Sequence, residues 1–302
     1  MPTAVTIIVP TCNREEELAA CLRLLVPQIP RDGSAEIVIC DDGVAMGTRD
    51  VLLRDYPSAI RVSGPRRGPG ANRNTGAKSA RGEWLVFLDD DVLPRPAFLA
   101  GYLAAIADPR MAGGVLAGAT FRSGENKGSL LWESPHFDGP GVLPPSCNFA
   151  IPRTVFEASG GFDERFCHSF EDMEFFARLK LSGVPVHFLE AAAVDHPVRP
   201  LPPSRVLARR WESRVISAYD SGAGSLELLW RLPRHVLLVI LSRFRGRSMS
   251  AESIRAAAVF AGEFFVVLAC LPGWVMRFRD APRSAFWAEQ VKKGNRPSRF
   301  GL

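Results

Sequence analysis

Trp84-Leu85-Val86-Phe87-Leu88-Asp89-Asp90-Asp91 decides how the rest of the chain is read. Five apolar residues run into three carboxylates, and Pro94 follows. A short continuous apolar run closed by a turn signal has the length and composition of a buried strand. Adjacent carboxylates repel one another, so holding three at a strand end costs free energy that a divalent cation would remove. Along an extended chain Asp89 and Asp91 point the same way and could share such an ion through oxygen. A bare Asp-Asp-Asp is more often a solvated acidic turn, so the surrounding chain has to carry the decision.

Working outward, residues 5–10 (Val-Thr-Ile-Ile-Val-Pro) read as a first buried strand and residues 36–40 as a second, which ends in Asp41-Asp42-Gly43. Between them Asn13 can cap a helix, with Glu16 as its reciprocal partner and Leu18, Cys21, Leu22 and Leu25 on one face. Residues 48–56 read as a helix and 60–62 as a short strand. A Gly/Pro/Arg loop spans 64–70, and a small-residue helix spans 71–80. Beyond the acidic triplet the pattern predicts a helix over 96–107 and a strand over 113–121. A long Gly/Pro/Ser-rich loop over 122–147 suits a lid or acceptor wall. Residues 170–182 then read as a helix opened by Glu171-Asp172, and 184–189 as a strand with Val194-Asp195-His196-Pro197 after it. Alternation of this kind implies a mostly parallel sheet with helices on both faces. Ligands bind such sheets beyond the carboxyl ends of the strands. Asp41/Asp42 and Asp89/Asp91 both follow strands, so both are expected on one edge of the sheet.

Several spacings now coincide, and residues 3–198 resemble the family 2 glycosyltransferases, inverting enzymes with the GT-A type nucleotide-diphospho-sugar fold. The matching pieces are Ile7-Ile8-Val9-Pro10-Thr11-Cys12-Asn13-Arg14, Asp41-Asp42-Gly43, Asn72-Arg73-Asn74-Thr75-Gly76 with Ala80-Arg81-Gly82-Glu83, Phe87 to Asp91, Gly160-Gly161-Phe162-Asp163 and Glu171-Asp172. Each is weak alone; their order is what carries the resemblance. The family often has Ser after Asp-Asp-Gly, where this chain has Val44.

The resemblance implies a set of roles. Pro10 and Asp42 would line the base pocket beside Asp41, with the Asp42 carboxylate accepting from the imide of a uracil or thymine nucleotide. Arg73 and Asp90 would lie along the nucleotide. Asp91 and Asp89 would hold Mg²⁺ or Mn²⁺, with His196 completing the metal shell. Asp172 would be the general base that takes the acceptor proton as the hydroxyl attacks the anomeric carbon. Asn148, Arg153, Gly161 and Glu171 would lie on the acceptor side. The chemistry suits these residue types. A divalent cation stabilises charge growing on the leaving diphosphate, and a hydroxyl needs a carboxylate within reach to become a nucleophile. A nucleotidyltransferase is a second reading, although residues 10–14 lack the Gly-rich basic signature that class shows after its first strand. A non-catalytic nucleotide- or saccharide-binding module at a membrane is a third.

Composition adds a division of the chain. Residues 1–198 carry 19 Lys+Arg against 25 Asp+Glu, a balance of −6; residues 199–302 carry 18 against 7, a balance of +11; the two sum to the net +5. We therefore expect a catalytic domain over 1–198 and a basic, apolar helical extension over 199–302. No nucleic-acid motif accompanies the basic tail, so an anionic membrane face is its expected partner. Val206 to Ala218 reads as a basic helix, and residues 226–244 as an apolar stretch broken by Arg231, Pro233, Arg234 and His235. Residues 254–276 approach the length of a spanning helix, but Glu263 lies near the middle and Pro272-Gly273 interrupts them. Helices lying in the membrane interface fit that pattern better, and a lipid-linked or polysaccharide acceptor would follow. Six cysteines without a CxxC pair suggest thiols in a reducing compartment. The first residues lack a signal peptide's basic region. The expected location is cytoplasmic, peripheral at the inner face of the membrane.

Overall fold

The computed structural model describes residues 4–44 and 55–295; the helix expected at 48–56 lies, but for its last two residues, outside them. The chain divides into two compact units. One comprises the residues up to Glu125 with Ser134–Cys167 and Glu171–Val198, and the other Asn126–Glu133, His168–Phe170 and the residues from Arg199 onward.

The first unit is built on an eight-stranded sheet. Strands β1 (Val5–Thr11), β2 (Ala35–Asp41), β3 (Ile60–Ser63) and β4 (Trp84–Leu88) run parallel in the order β3-β2-β1-β4. Both faces of β1 and β2 are buried throughout, which is why these strands read as continuous apolar runs. Beyond β4 the sheet changes direction. Strand β8 (Asn148–Pro152) is antiparallel to β4, with Leu88 opposite Asn148 and Trp84 opposite Pro152. It also pairs antiparallel with β6 (Val115–Ser123), which lies parallel to β9 (Val186–Pro197). A two-residue strand, β5 (Leu93–Pro94), closes the edge against β9. The strand expected at 184–189 and the segment after it are thus one twelve-residue strand, with a bulge opposite Gly118 to Thr120. That irregularity breaks the alternation by which a strand is recognised. Within the long loop, Trp132–Glu133 forms a short strand, β7, and Thr120 bridges to Phe137.

Helices cover both faces. Helices α1 (Glu15–Leu25) and α3 (Phe98–Ile106) close one core, with Leu18, Cys21, Leu22, Leu25, Phe98 and Tyr102 against Ile7, Ile39 and Val86. Helices α2 (Pro69–Ser79), α4 (Arg153–Ala158) and α5 (Glu171–Leu181) close the other, a phenylalanine cluster in which Phe87 stacks on Phe149 and Phe162 on Phe175. Asn13 does not cap α1 as expected. Arg14 holds the N-cap position without a side-chain bond, and Asn13 takes a left-handed φ of 52° and accepts from the Val44 amide instead. The acids Glu15, Glu16 and Glu17 in the first turn stabilise the exposed amides through the helix dipole.

The second unit is helical: α6 (Ser204–Arg209), α7 (Glu212–Asp220), α8 (Ser225–Arg243), α9 (Ala251–Phe278) and α10 (Ala285–Lys292). The single basic helix expected over 206–218 is two helices, parted at Arg210-Trp211. The two apolar stretches expected to be broken are unbroken helices that carry Pro233 and Pro272 inside them. Leu228, Leu232, Val236 and Ile240 of α8 pack in one core with Ala256, Phe260, Val267 and Leu271 of α9. Glu263 points inward to this core, where its Oε1 accepts from the Trp211 indole at 2.7 Å.

Candidate active site

The carboxyl ends of β1, β2 and β4 open on a cavity of about 580 Å³. Pro10, Thr11, Cys12 and Arg14 line it from the end of β1, Asp42 from the end of β2, and Asp89 and Asp90 from the end of β4. The start of α2 supplies Gly68, Pro69, Asn72 and Arg73, and Arg66 precedes it. Helix α2 reaches this position because Gly76 lies against β1: a Cβ there would sit 2.5 Å from Ile8 Cγ2.

At one end of the cavity, Asp42 Oδ1 accepts from the Arg66 amide at 2.8 Å, and burial raises the pKa of its carboxyl. Beside it, the Asn72 amide nitrogen donates to the carbonyls of Cys40 and Thr11 at 2.9 and 3.4 Å. Carbonyls only accept, so this fixes the amide's orientation and leaves Asn72 Oδ1 buried without a donor among the described residues. Asp41 is turned away from the cavity. It is 2% exposed, with one oxygen on the Gly43 amide and the other on Arg61, each at 2.8 Å. Asp41 anchors the turn that carries Asp42.

At the other end, each residue of the acidic triplet has its own partner. Arg73 is buried. Its Nη2 donates to Asp89 at 2.6 Å and its Nη1 to Glu171 at 3.0 Å, and its guanidinium lies 5.6 Å from the centre of the Phe162 ring. Among the described residues Arg73 Nε is left without a partner. Asp90 is buried, accepting from Thr11 Oγ1 at 2.7 Å and Arg14 at 3.1 Å; burial pushes its carboxyl up to about 7, against the pull of Arg14. Arg14 also reaches Asp91 Oδ2 at 3.0 Å. On the other side of Asp91, His196 Nε2 lies 3.4 Å from Oδ1. His196 is 2% exposed and its Nδ1 is 3.1 Å from the Pro197 carbonyl.

The metal reading can be weighed on these contacts. A carbonyl accepts, so His196 Nδ1 donates, which leaves Nε2 facing Asp91 Oδ1. That spacing calls for a proton or a cation between the two atoms. The pair suits an ion held by one or two protein groups and completed by phosphate oxygens and water. Among the described residues no group of three His, Cys, Asp or Glu side chains is placed to hold a metal alone. Asp89 and Asp91 are held by different arginines, so the cation shared by both is not what the geometry favours.

Glu171 and Asp172 open α5 directly after Phe170, a non-glycine residue at φ 75°. Such a conformation persists only where surrounding structure over-determines it, and here it sets both acids at the helix start. Burial, with the neighbouring Asp172 charge, raises Glu171 against the pull of Arg73. Burial also raises Asp172, whose Oδ1 accepts from the Met173 amide at 2.7 Å.

The expected acceptor-side residues fare differently. Glu171 is spent on Arg73. Asn148 is fully buried and saturated: its Oδ1 takes the Tyr102 hydroxyl, and its Nδ2 donates to the Ala119 and Ala192 carbonyls. It ties β8 to β6 and β9. Arg153 sits at the opposite end of β8, where its guanidinium donates to the carbonyls of Ala80 and Gly82 after α2. Gly161 adopts φ 69°, and a Cβ on it would meet Asn74 Oδ1 at 2.6 Å. Its carbonyl accepts from Arg178, so it shapes the turn under Phe162. Sequence reasoning passed over Thr11, Arg14 and Asn72. Their signal was position: each follows a strand or opens a helix at the same edge as the acids.

The glycosyl transferase family 2 profile matches residues 6–160, and a second, glycosyltransferase-like family 2, matches residues 126–196. The chain belongs to glycosyl transferase family 2. It is 30% identical over 209 residues to the pre-mycofactocin glycosyltransferase of Mycobacterium tuberculosis, covering 64% of this chain and 42% of that protein. It is also 30% identical over 223 residues to the validoxylamine A glucosyltransferase of Streptomyces hygroscopicus, covering 60% and 49%. The chain thus spans about half or less of the length of these relatives. Among solved structures, S. aureus TarS residues 1–349 superpose with a TM-score of 0.55 at 17% identity, over 97% of this chain and 92% of that one. The Pyrobaculum calidifontis mannosyltransferase PcManGT, in complex with GDP-Man and Mn²⁺, also gives 0.55 at 17%, over 92% and 87%. These likenesses establish the GT-A type fold, and family membership removes the nucleotidyltransferase alternative.

Proposed function

We propose that this glycosyltransferase moves a sugar, with inversion, from a nucleoside-diphosphate donor of the UDP or dTDP type to an acceptor hydroxyl, with Asp172 as the base. The observation that carries this reading is the Arg73 bridge. Arg73 bonds both Asp89, which follows β4, and Glu171, which opens α5, and Arg73 and Asp89 line the same cavity as Asp42.

In this reading the nucleobase enters between Pro10 and Asp42. Its imide N–H donates to Asp42. Arg14 and Arg73, which both line the cavity, meet the diphosphate, while Asp90 stays buried and holds Arg14 in place. Asp91 and His196 would hold a divalent cation, Mg²⁺ or Mn²⁺, which stabilises the charge of a leaving diphosphate. TarS has been solved with UDP and UDP-GlcNAc, and PcManGT with GDP-Man and Mn²⁺; both support a nucleotide-sugar donor. Asp172 takes the acceptor proton. Its burial makes it a stronger base than an exposed carboxylate, and the Met173 amide holds it in orientation. The acceptor is a polysaccharide or lipid-linked saccharide at the inner face of an anionic membrane, supported by the apolar helices and the +11 balance after residue 198.

The test is calorimetric titration of UDP-, dTDP- and GDP-sugars with Mn²⁺ or with chelator, followed by turnover with the best donor. Asp172→Asn should bind the donor within about twofold of the parent and lose transfer by about 10²- to 10⁴-fold. Transfer by that variant at the parental rate would overturn the base assignment, and donor affinity indifferent to metal would remove the cation.

A further inference from the structure

We infer that the helical unit holds a second binding site, for a phosphate ester carried on an apolar chain, in a cavity of about 730 Å³ lined by α6, α7, α9 and His168. Neither the family nor the sugar-transfer reading assigns it, and the inference does not rest on that reading.

One side of this cavity is cationic. Arg205 and Arg209 stand four residues apart on α6, which places them on one helical face. Among the described residues their side chains make no hydrogen bond or ion pair, yet both line the cavity. Arg277 approaches from α9 and His168 from its own short segment. Both are held by Glu212, 5% exposed, whose Oε1 accepts from Arg277 at 2.9 Å and whose Oε2 lies 3.5 Å from His168 Nε2. Three arginines against one glutamate leave +2 with His168 neutral. Glu212 is committed to Arg277 and His168, so the free charge is that of Arg205 and Arg209, and it calls for an anion from outside the unit. Guanidinium pairs of this kind favour phosphate.

The other side is apolar. On α9 the lining residues Val266, Cys270, Trp274 and Arg277 follow one another at helical spacing, so an apolar track ends at a guanidinium. From Val266 to Trp274 the rise is about 12 Å, enough for roughly ten methylenes. A free phosphate ion would use the arginines and leave this track wet. A phosphate with an alkyl or prenyl tail would use both, with its head at Arg205, Arg209 and Arg277 and its chain along the helix.

The experiment titrates the full chain with dodecyl phosphate below its critical micelle concentration, with inorganic phosphate, and with dodecyl maltoside. Dodecyl phosphate should bind at least about tenfold tighter than either of the others. The double variant Arg205→Gln, Arg209→Gln alters exposed side chains and should keep the parental melting temperature and donor affinity. It should lose at least about tenfold in dodecyl phosphate affinity with dodecyl maltoside binding unchanged. Val266→Asn should weaken dodecyl phosphate and leave inorganic phosphate alone. Three results would each overturn the proposal: inorganic phosphate binding as tightly as dodecyl phosphate, dodecyl maltoside doing so, or the double variant binding dodecyl phosphate like the parent.

Discussion

Arg73 is the residue on which the carboxylates of the site depend. It is 4% exposed and lies between Asp89 and Glu171. Arg73→Gln would leave two acids facing each other without a cation, at a cost of about 3 kcal/mol. The melting temperature should drop by roughly 6–12 °C. Arg73→Lys restores the charge but cannot donate in two directions from a planar fork, so thermal unfolding should place it between the two. Glu171 gives this site a pH signature. Its carboxyl is raised from 4.5 to about 7, so its contribution is fully present below the ordinary carboxylate range and is lost as pH rises through 7. The ligand-free protein should therefore melt several degrees lower at pH 8 than at pH 5. Glu171→Gln should flatten part of that slope, the remainder being shared by Asp90, Asp172 and Asp42, which burial raises in the same way. Transfer should run the other way. Asp172 must be ionised to take a proton and burial raises its pKa, so kcat should rise with pH through an inflection above the ordinary carboxylate range. An inflection near 4 would count against Asp172 as the base.

At the scale of elements, legibility followed periodicity. Strands β1, β2 and β4 were legible because both their faces are buried, and α1 because its apolar stripe is regular. The antiparallel insertion of β8 was not, because a buried strand's composition does not record its direction. The site divided along the same line. Asp42, Asp89 and Asp172 each follow a strand or open a helix, so their positions in the fold are legible in the sequence. Asn148 and Arg153 donate to neighbouring carbonyls, which motif spacing does not record. Helix α2 was recognised as small-residued, and the structure supplies the reason. Gly76→Ala would put a Cβ 2.5 Å from Ile8 Cγ2, forcing α2 off β1 at a cost of about 1–3 kcal/mol. Because α2 also carries Asn72 and Arg73, donor affinity should fall with stability. A Gly76→Ala protein that titrates donor like the parent would show that the helix start is held independently of its middle.

For the whole molecule, the charge balance and the outward faces of the C-terminal helices point the same way. On α9 the side away from its core presents Ile254, Phe265, Leu268 and Met276, all exposed, and its one interior acid, Glu263, is turned inward. On α8 Leu226, Trp230, Leu238 and Leu241 are exposed in the same manner. A helix facing water ordinarily carries its polar side outward, and apolar faces of this extent mark an interaction surface. Arg243, Arg245, Arg247 and Arg255 lie at one end of these apolar stretches and Arg277, Arg279 and Arg283 at the other end of α9, with few acids among them. Of 28 residues in α9, enough are apolar to cross a bilayer by length and composition, but the inward side is already occupied by protein. A helix buried along one stripe in its own unit and apolar outward fits the plane of an interface better than a span through lipid. The protein should therefore co-sediment with vesicles containing anionic lipid, more weakly with zwitterionic ones, and the difference should shrink as salt rises from 0.05 to about 0.5 M, as exposed charges are screened. Phe265→Glu with Leu268→Glu replaces outward side chains only and should abolish sedimentation at every salt concentration while leaving the melting temperature and donor titration unchanged. Binding that survives this double substitution would place the contact elsewhere than on α9, and salt-indifferent binding would remove the arginines from it.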